Sequence, residues 1–298
     1  MLYLTNSIMQ TWRDCHRKFY WSEICRYAPK SSEAMFDGTI AHKAIKEHCL
    51  GEGVNYSDIK EAYKNEVLKA EISRIANINE RQAKITSMMR AYEELYKGDS
   101  ERFTFLAIEE EISIPLTTNI IVAGTPDEIA IEKSSGDLTL FENKTASKIT
   151  SSYLERLNLD TQLTQYCWLI KKKYGKAPMK IIYNILAKTA CRLKKNETWD
   201  EFEQRITELY LSEDENTRLY REELIRDDAS LENFEEGVLQ IAKEIMDLQE
   251  AKAPMSAYYI NSQPCTYYDG CLYLPLCTLG EQNAKIMYKQ SERKGCFQ

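Results

Sequence analysis

The segment Leu138-Thr-Leu-Phe-Glu-Asn-Lys144 sets a carboxylate and an ammonium two positions apart in a run of β-favouring residues. In an extended strand, alternation puts Leu138, Leu140, Glu142 and Lys144 on one face and Thr139, Phe141 and Asn143 on the other. Glu142 and Lys144 therefore leave the end of a buried strand side by side. Upstream, Gly124-Thr-Pro-Asp127 interrupts an apolar run. Gly and Pro inside a strand mark a bend or bulge that re-aims a side chain, which can turn Asp127 toward Glu142. Two carboxylates held together raise each other's pKa unless a cation lies between them, so the pair is either a shared-proton site or a divalent-metal site. The neighbouring Lys144 favours the ionised, metal-binding form. Taken singly, an Asp at a strand bend is more often a turn residue, and Glu-x-Lys more often an exposed ion pair.

The second reactive set is sulfur. The 298 residues hold nine cysteines and only three histidines. No stretch approaches the roughly 18 apolar residues of a membrane span, and the start, Met-Leu-Tyr-Leu-Thr-Asn, lacks the basic flank and apolar core of a secretion signal. The expected location is the cytoplasm, with no membrane contact. In a reducing compartment clustered cysteines read as metal ligands or a reactive site rather than as disulfides. Cys265, Cys271 and Cys277 are separated by five residues twice over, and Cys15 lies far upstream in Trp12-Arg-Asp-Cys-His-Arg-Lys-Phe-Tyr-Trp21. Cys49, Cys167 and Cys191 fall on apolar stretches and read as small core residues.

Charge is distributed unevenly. The chain has 46 acidic and 39 basic side chains, but residues 197–236 alone hold 15 acidic residues against four arginines, which leaves the remainder at +4. Residues 161–196 hold nine Lys or Arg and no acid, including Lys171, Lys172, Lys173 and Lys176. That run reads as a phosphate track or, more plainly, as a solvated helix end. With 43% hydrophobic residues the chain can bury a core, which excludes disorder as its main state.

Elements that position these groups follow from periodicity. Helical spacing covers about 5–27, 35–50, 57–75 and 80–97. Phe103–Ile114, Ile120–Ile131 and Leu138–Phe141 read as a three-stranded meander, with turn residues between them. A helix is expected over about 153–174, ended by Gly175 and Pro178, then a strand over 179–186 and helix again over 199–250. The core order is αβββαβ, in one domain spanning 1–298. Its parts are a helical 1–100, a core sheet and helix over 101–196, an acidic helical insertion over 197–252, and a cysteine tail over 253–298.

Asp127, then Glu142-x-Lys144 on the next strand, resembles the PD-(D/E)XK nuclease superfamily. Gly38-Thr-Ile-Ala-His42 looks like the Gly-x-x-x-His motif of its RecB-type branch, and Gln162-Leu-Thr-Gln-Tyr166 like the Gln-x-x-x-Tyr motif. The resemblance implies an α/β, restriction-endonuclease-like core and metal-assisted phosphodiester hydrolysis. It implies Mg²⁺ or Mn²⁺ held by His42, Asp127, Glu142 and the main-chain carbonyl of Asn143. Lys144 orients or deprotonates water and offsets charge, and Gln162 and Tyr166 position Lys144 or the substrate. Glu109, Glu110 or Glu111 can lend a further carboxylate.

One early cysteine and three terminal ones resemble the iron-sulfur members of that family, CRISPR-associated and helicase-partner nucleases among them. The resemblance implies a [4Fe-4S] cluster on Cys15, Cys265, Cys271 and Cys277 that clamps the N-terminal helix to the tail. The trio lacks a close Cys-x-x-Cys pair, so zinc is the alternative, and Cys25 and Cys296 are the substitutes should Cys15 not be a ligand. No Gly-x-x-x-x-Gly-Lys-Ser/Thr loop occurs, so any unwinding comes from a helicase or recombination protein in trans. The expectation is a DNA exonuclease acting on single strands or ends, in recombination, repair or phage DNA metabolism, in a bacterial or phage-infected cell. The alternatives are a non-catalytic nucleic-acid-binding module and an endonuclease on DNA or RNA. Nothing in the sequence encodes an oligomeric contact.

Overall fold

The computed structural model of the protein describes residues 1–29, 32–212, 218–266, 270–292 and 295–297. Strand β1 (Leu2–Leu4) leads into helices α1 (Asn6–Asp14) and α2 (His16–Phe19), then a π-helical stretch (Tyr20–Ile24) and strand β2 (Tyr27–Ala28). Helices α3 (Glu33–Cys49), α4 (Tyr56–Val67), α5 (Ile72–Tyr96) and α6 (Asp99–Arg102) follow. Next come strands β3 (Phe103–Ile108), β4 (Ile112–Thr117), β5 (Ile120–Gly124), β6 (Glu128–Glu132) and β7 (Leu138–Ala146). Helices α7 (Ser151–Leu157) and α8 (Thr161–Tyr174) cross to strand β8 (Lys180–Ala187). Helix α9 (Trp199–Leu211), strand β9 (Leu219–Leu224) and helix α10 (Asp228–Glu250) precede a tail with α11 (Leu274–Thr278), α12 (Glu281–Ala284) and strand β10 (Lys289–Gln290).

The main sheet has the order β3-β6-β7-β8-β9. Only β7 and β8 pair in parallel within it, and they are joined by the α7–α8 crossover that parallel strands require. A smaller sheet has the order β1-β5-β4. On one side of the main sheet α8 packs with α1 and α10 through Ile8, Trp12, Leu163, Trp168, Val238 and Ile241. On the other, α3, α4, α5 and α9 bury Ala41, Ile45, Tyr63, Met88, Phe202 and Ile206. Each large side chain so buried stabilises the fold by about 1.5–3 kcal/mol before entropy is counted. The result is an α/β/α sandwich.

Local signals account for the element ends nearest the site. Asp160 caps α8 by accepting from the amides of Gln162 (2.8 Å) and Leu163 (3.2 Å). Gly175 ends it in the left-handed region at φ 79°.

The structure corrects several expected elements. The two long strands of the meander each break in the middle, at Glu109–Glu111 and at Gly124–Asp127. Their halves then join different sheets, β3 and β6 the main one, β4 and β5 the smaller. The helix expected over 153–174 divides before Asp160. The helix expected over 199–250 is interrupted by β9, whose Leu219 and Leu224 are buried where it pairs antiparallel with β8. The acidic segment is thus helix, strand, helix, and it adds the fifth strand of the sheet. Glu213, Asp214 and Glu215 of that segment lie outside the described residues.

Candidate active site

Both strand breaks fall at one level of the fold, where the Glu109 amide donates to the Asp127 carbonyl over 2.7 Å. Asp127 follows the break between β5 and β6. Its Oδ2 accepts from the Asn143 amide at 2.7 Å, and its Oδ1 lies 3.3 Å from Nδ1 of His42 on α3. Burial alone would raise the Asp127 carboxyl, but the His42 contact, Lys144 and the Asn143 amide outweigh it and hold the pKa low. Burial would likewise lower His42, yet its bond to Asp127 raises it.

Glu142 is 0% exposed. One carboxylate oxygen is ion-paired with the Lys144 ammonium, and the other, Oε2, is buried with no hydrogen-bond partner among the described residues. Burial pushes Glu142 up to about 7, against the pull of Lys144 and with repulsion from Asp127. Lys144 moves the other way from a simple buried amine: Glu142 and Asp127 overcome desolvation and raise it, so it stays charged. Alternation along β7 thus sets Glu142 and Lys144 on one face with Asp127 and His42 beside them.

Helix α8 closes this face. Gln162 Nε2 donates to the Tyr166 hydroxyl at 2.8 Å, and Gln165 Nε2 donates to the Ala123 carbonyl at 2.7 Å, tying the helix to the end of β5. Gly124 makes room for the Tyr166 ring, because a Cβ there would stand 2.8 Å from Tyr166 Cε1 and 3.1 Å from Leu169 Cδ1. Gly38 on α3 is not required in this way, since a Cβ there would meet Thr145 Oγ1 at 3.6 Å, an ordinary contact.

On the reverse face of the sheet lies a polar chain that the sequence reading missed. Asn143 Nδ2 donates to both oxygens of buried Glu128 (3.1 and 3.0 Å). Asn184 Nδ2 donates to Asn143 Oδ1 (2.7 Å), and Arg221 Nε donates to Asn184 Oδ1 (2.8 Å). Arg221 then makes a bidentate pair with Asp99 at 2.9 and 2.7 Å. Asn143, Asn184 and Arg221 are register partners across β7, β8 and β9. The available signal was Asn184, a lone amide in the apolar run Ile181-Ile-Tyr-Asn-Ile-Leu186. Glu128, next to Asp127 in sequence, is thus turned to the reverse face, while Glu109 pairs with Lys46 (3.1 Å), Glu110 with Lys173 (3.9 Å), and Glu111 faces Tyr3.

Among the described residues no three His, Cys, Asp or Glu side chains form a ready cage for a metal ion. Asp127 and Glu142 are engaged instead with His42 and Lys144.

A family model described as the PD-(D/E)XK nuclease superfamily matches residues 3–278. The chain belongs to that superfamily. A crystal structure of LHK-Exo in complex with dAMP is 13% identical and covers 72% of this chain and 91% of that chain, with a TM-score of 0.30. No curated protein matches the chain.

The match of this PD-(D/E)XK chain to its family ends at residue 278, within the cysteine tail. Cys15, at the turn between α1 and α2, accepts from the Asn261 amide at 3.4 Å. Burial and then Cys271, Cys15 and Cys277 raise the Cys265 thiol. Cys277 accepts from Trp21 Nε1 at 3.3 Å and in turn feels Cys15 and Cys271. Cys265 Sγ donates to the Asn261 carbonyl at 3.8 Å and the Cys271 amide to the Cys265 carbonyl at 3.1 Å, but no three of the four thiols form a ready metal cage among the described residues. Cys25 packs in the same apolar cluster as Cys271 and Cys277, beside Tyr20, whereas Cys296 is wholly buried in the main core, where burial lifts it to about 12.

The basic run is largely neutralised. Lys171 pairs with Asp228 (2.7 Å), Lys172 with Glu235 (2.9 Å) and Lys173 with Glu110 (3.9 Å), while Lys176 donates to the Gly136 carbonyl (3.2 Å). Two of those carboxylates come from α10, in the acidic segment. No helix among the described residues is long and apolar enough to cross a membrane.

Proposed function

We propose that this PD-(D/E)XK protein is a Mg²⁺- or Mn²⁺-dependent deoxyribonuclease, an exonuclease on single strands or DNA ends used in recombination, repair or phage DNA metabolism. One observation carries the reading: Glu142 Oε2 is buried beside Asp127 with no hydrogen-bond partner among the described residues. A buried carboxylate oxygen without a donor is costly, and a cation is the partner it lacks.

Asp127, Glu142 and His42, with the main-chain carbonyl of Asn143, would hold the ion, exchanging their present contacts with one another and with Lys144. When bound, the ion polarises the scissile phosphate and lowers the pKa of water. The chain's own groups do the rest. Lys144 donates to the phosphate and offsets charge there. The Asn143 amide fixes Asp127, and the Gln162–Tyr166 pair walls the Lys144 side.

For the sulfur site, Cys15, Cys265, Cys271 and Cys277 would bind a [4Fe-4S] cluster, with zinc as the alternative. The reading is supported by Asn261, which bonds both Cys15 and Cys265, and by a donor set of thiols alone.

The test is an assay of 5′- and 3′-labelled single and double strands with Mg²⁺ or Mn²⁺, wild type beside Lys144→Ala. Removing one such charge donor is expected to lower turnover by about 10²–10³. Equal cleavage by the two proteins would sink the assignment.

A further inference from the structure

An open groove of about 510 Å³ runs off the end of β7, beginning one residue after Lys144. Thr145, Ser147, Lys148, Ser152, Tyr153 and Arg156 line it, and none of its described lining residues is a carboxylate. That is unusual in a chain with more acids than bases. Lys148 is exposed and makes no ion pair with any described residue, whereas Lys171, Lys172 and Lys173 are each matched to an acid. Tyr153 is anchored through its hydroxyl to that of Tyr183 at 3.2 Å, and the Arg156 guanidinium lies 5.7 Å from its ring centroid.

From this we infer that the groove seats the nucleic-acid strand next to the scissile phosphate, with Lys148 and Arg156 on the flanking phosphates. The inference rests on the nuclease reading and deepens it. Cations and hydroxyl donors are the groups that hold phosphate oxygens, and an aromatic wall suits a sequence-tolerant single strand. The groove's place at the strand end makes its occupant continuous with a phosphate held at Lys144. It also moves the strand path away from the basic run at 171–176.

The experiment uses the full chain and a 5′-fluorescein-labelled oligothymidylate, measuring cleavage kinetics with Mg²⁺ and anisotropy in the Lys144→Ala background. Lys148→Ala/Arg156→Ala is expected to raise KM by about tenfold with kcat changed less than about twofold, and to flatten the salt dependence of binding. For single strands each lost phosphate contact removes about 0.7 from the log–log slope, so the double variant should lose about 1.4. Lys148→Ala alone, at an exposed position that cannot unfold the chain, should lose about 0.7. Unchanged KM and slope in a wild type that cleaves would overturn the groove and leave the nuclease reading standing. So would a larger loss in Lys171→Ala/Lys172→Ala. A wild type that neither binds nor cleaves the strand would overturn both.

Discussion

Glu142 has one oxygen on the Lys144 ammonium and the other without a partner among the described residues, and burial lifts its carboxyl to about 7. Because the folded value lies above the unfolded 4.5, folding takes up a proton between the two, and this group's contribution to stability falls as pH rises across that window. A divalent cation needs the ionised form. It also needs His42 neutral, and Asp127 holds that pKa above 6.5. Both protons must leave, so ion affinity should climb as pH passes about 7, by about tenfold per unit for each group still protonated. The check is the Mn²⁺-induced rise in Tm, expected to be small near about pH 6 and large near about pH 8; equal rises would refute it. At this scale the sequence was readable because strand alternation fixes side and spacing together: Glu142, Lys144 and Asn143 stand on the faces assigned to them. Glu128 was not readable, since an acid adjacent to Asp127 looks like surface until the opposite face is seen to be covered by α5.

Individual elements were harder to read, for a physical reason. Phe103–Ile114 and Ile120–Ile131 are continuous in β-favouring residues, and nothing local says that each strand leaves one sheet for another at its midpoint. That choice is made by what each half packs against. The Leu-Tyr-Arg-Glu-Glu-Leu stretch of β9 is likewise a strand because β8 offers it an edge, not because of its own pattern. Two substitutions probe this layer. Gly124→Ala drives a methyl into the Tyr166 ring and Leu169, both held in the core, and should cost about 1–3 kcal/mol and displace Tyr166. Asn184→Ala strands Arg221 Nε and Asn143 Oδ1 on the reverse face and should cost about 1–3 kcal/mol, although it touches none of the side chains proposed as ligands. Urea midpoints measure both, and an unchanged midpoint for either would show that its contact contributes nothing.

Across the whole molecule the two ends of the chain meet. Arg17 donates from its amide to the Tyr259 carbonyl (3.1 Å) and from Nε to that of Tyr258 (3.0 Å). Asn261 Nδ2 donates to the Asp14 carbonyl (2.9 Å), the Tyr273 hydroxyl donates to the Tyr27 carbonyl (2.8 Å), and β10 pairs with β2. The clamp is therefore partly made of protein, and a cofactor on Cys15, Cys265, Cys271 and Cys277 would lock it across 250 positions of sequence. Closing so long a loop restricts the unfolded chain by about 5 kcal/mol on entropy alone, of which cross-links commonly deliver 2–4. Cys15→Ser should then lower Tm by roughly 5–10 °C and strip the metal. Because the site residues lie on β7, α3, α8 and the β5–β6 break rather than in the clamp, cleavage at low temperature should survive the loss. Anaerobically purified wild type should be brown, with a broad absorption near about 400 nm. A colourless protein containing zinc would replace the cluster while keeping the clamp. A metal-free protein whose Tm is indifferent to Cys15→Ser would leave the hydrogen bonds between the two ends as the whole of the clamp.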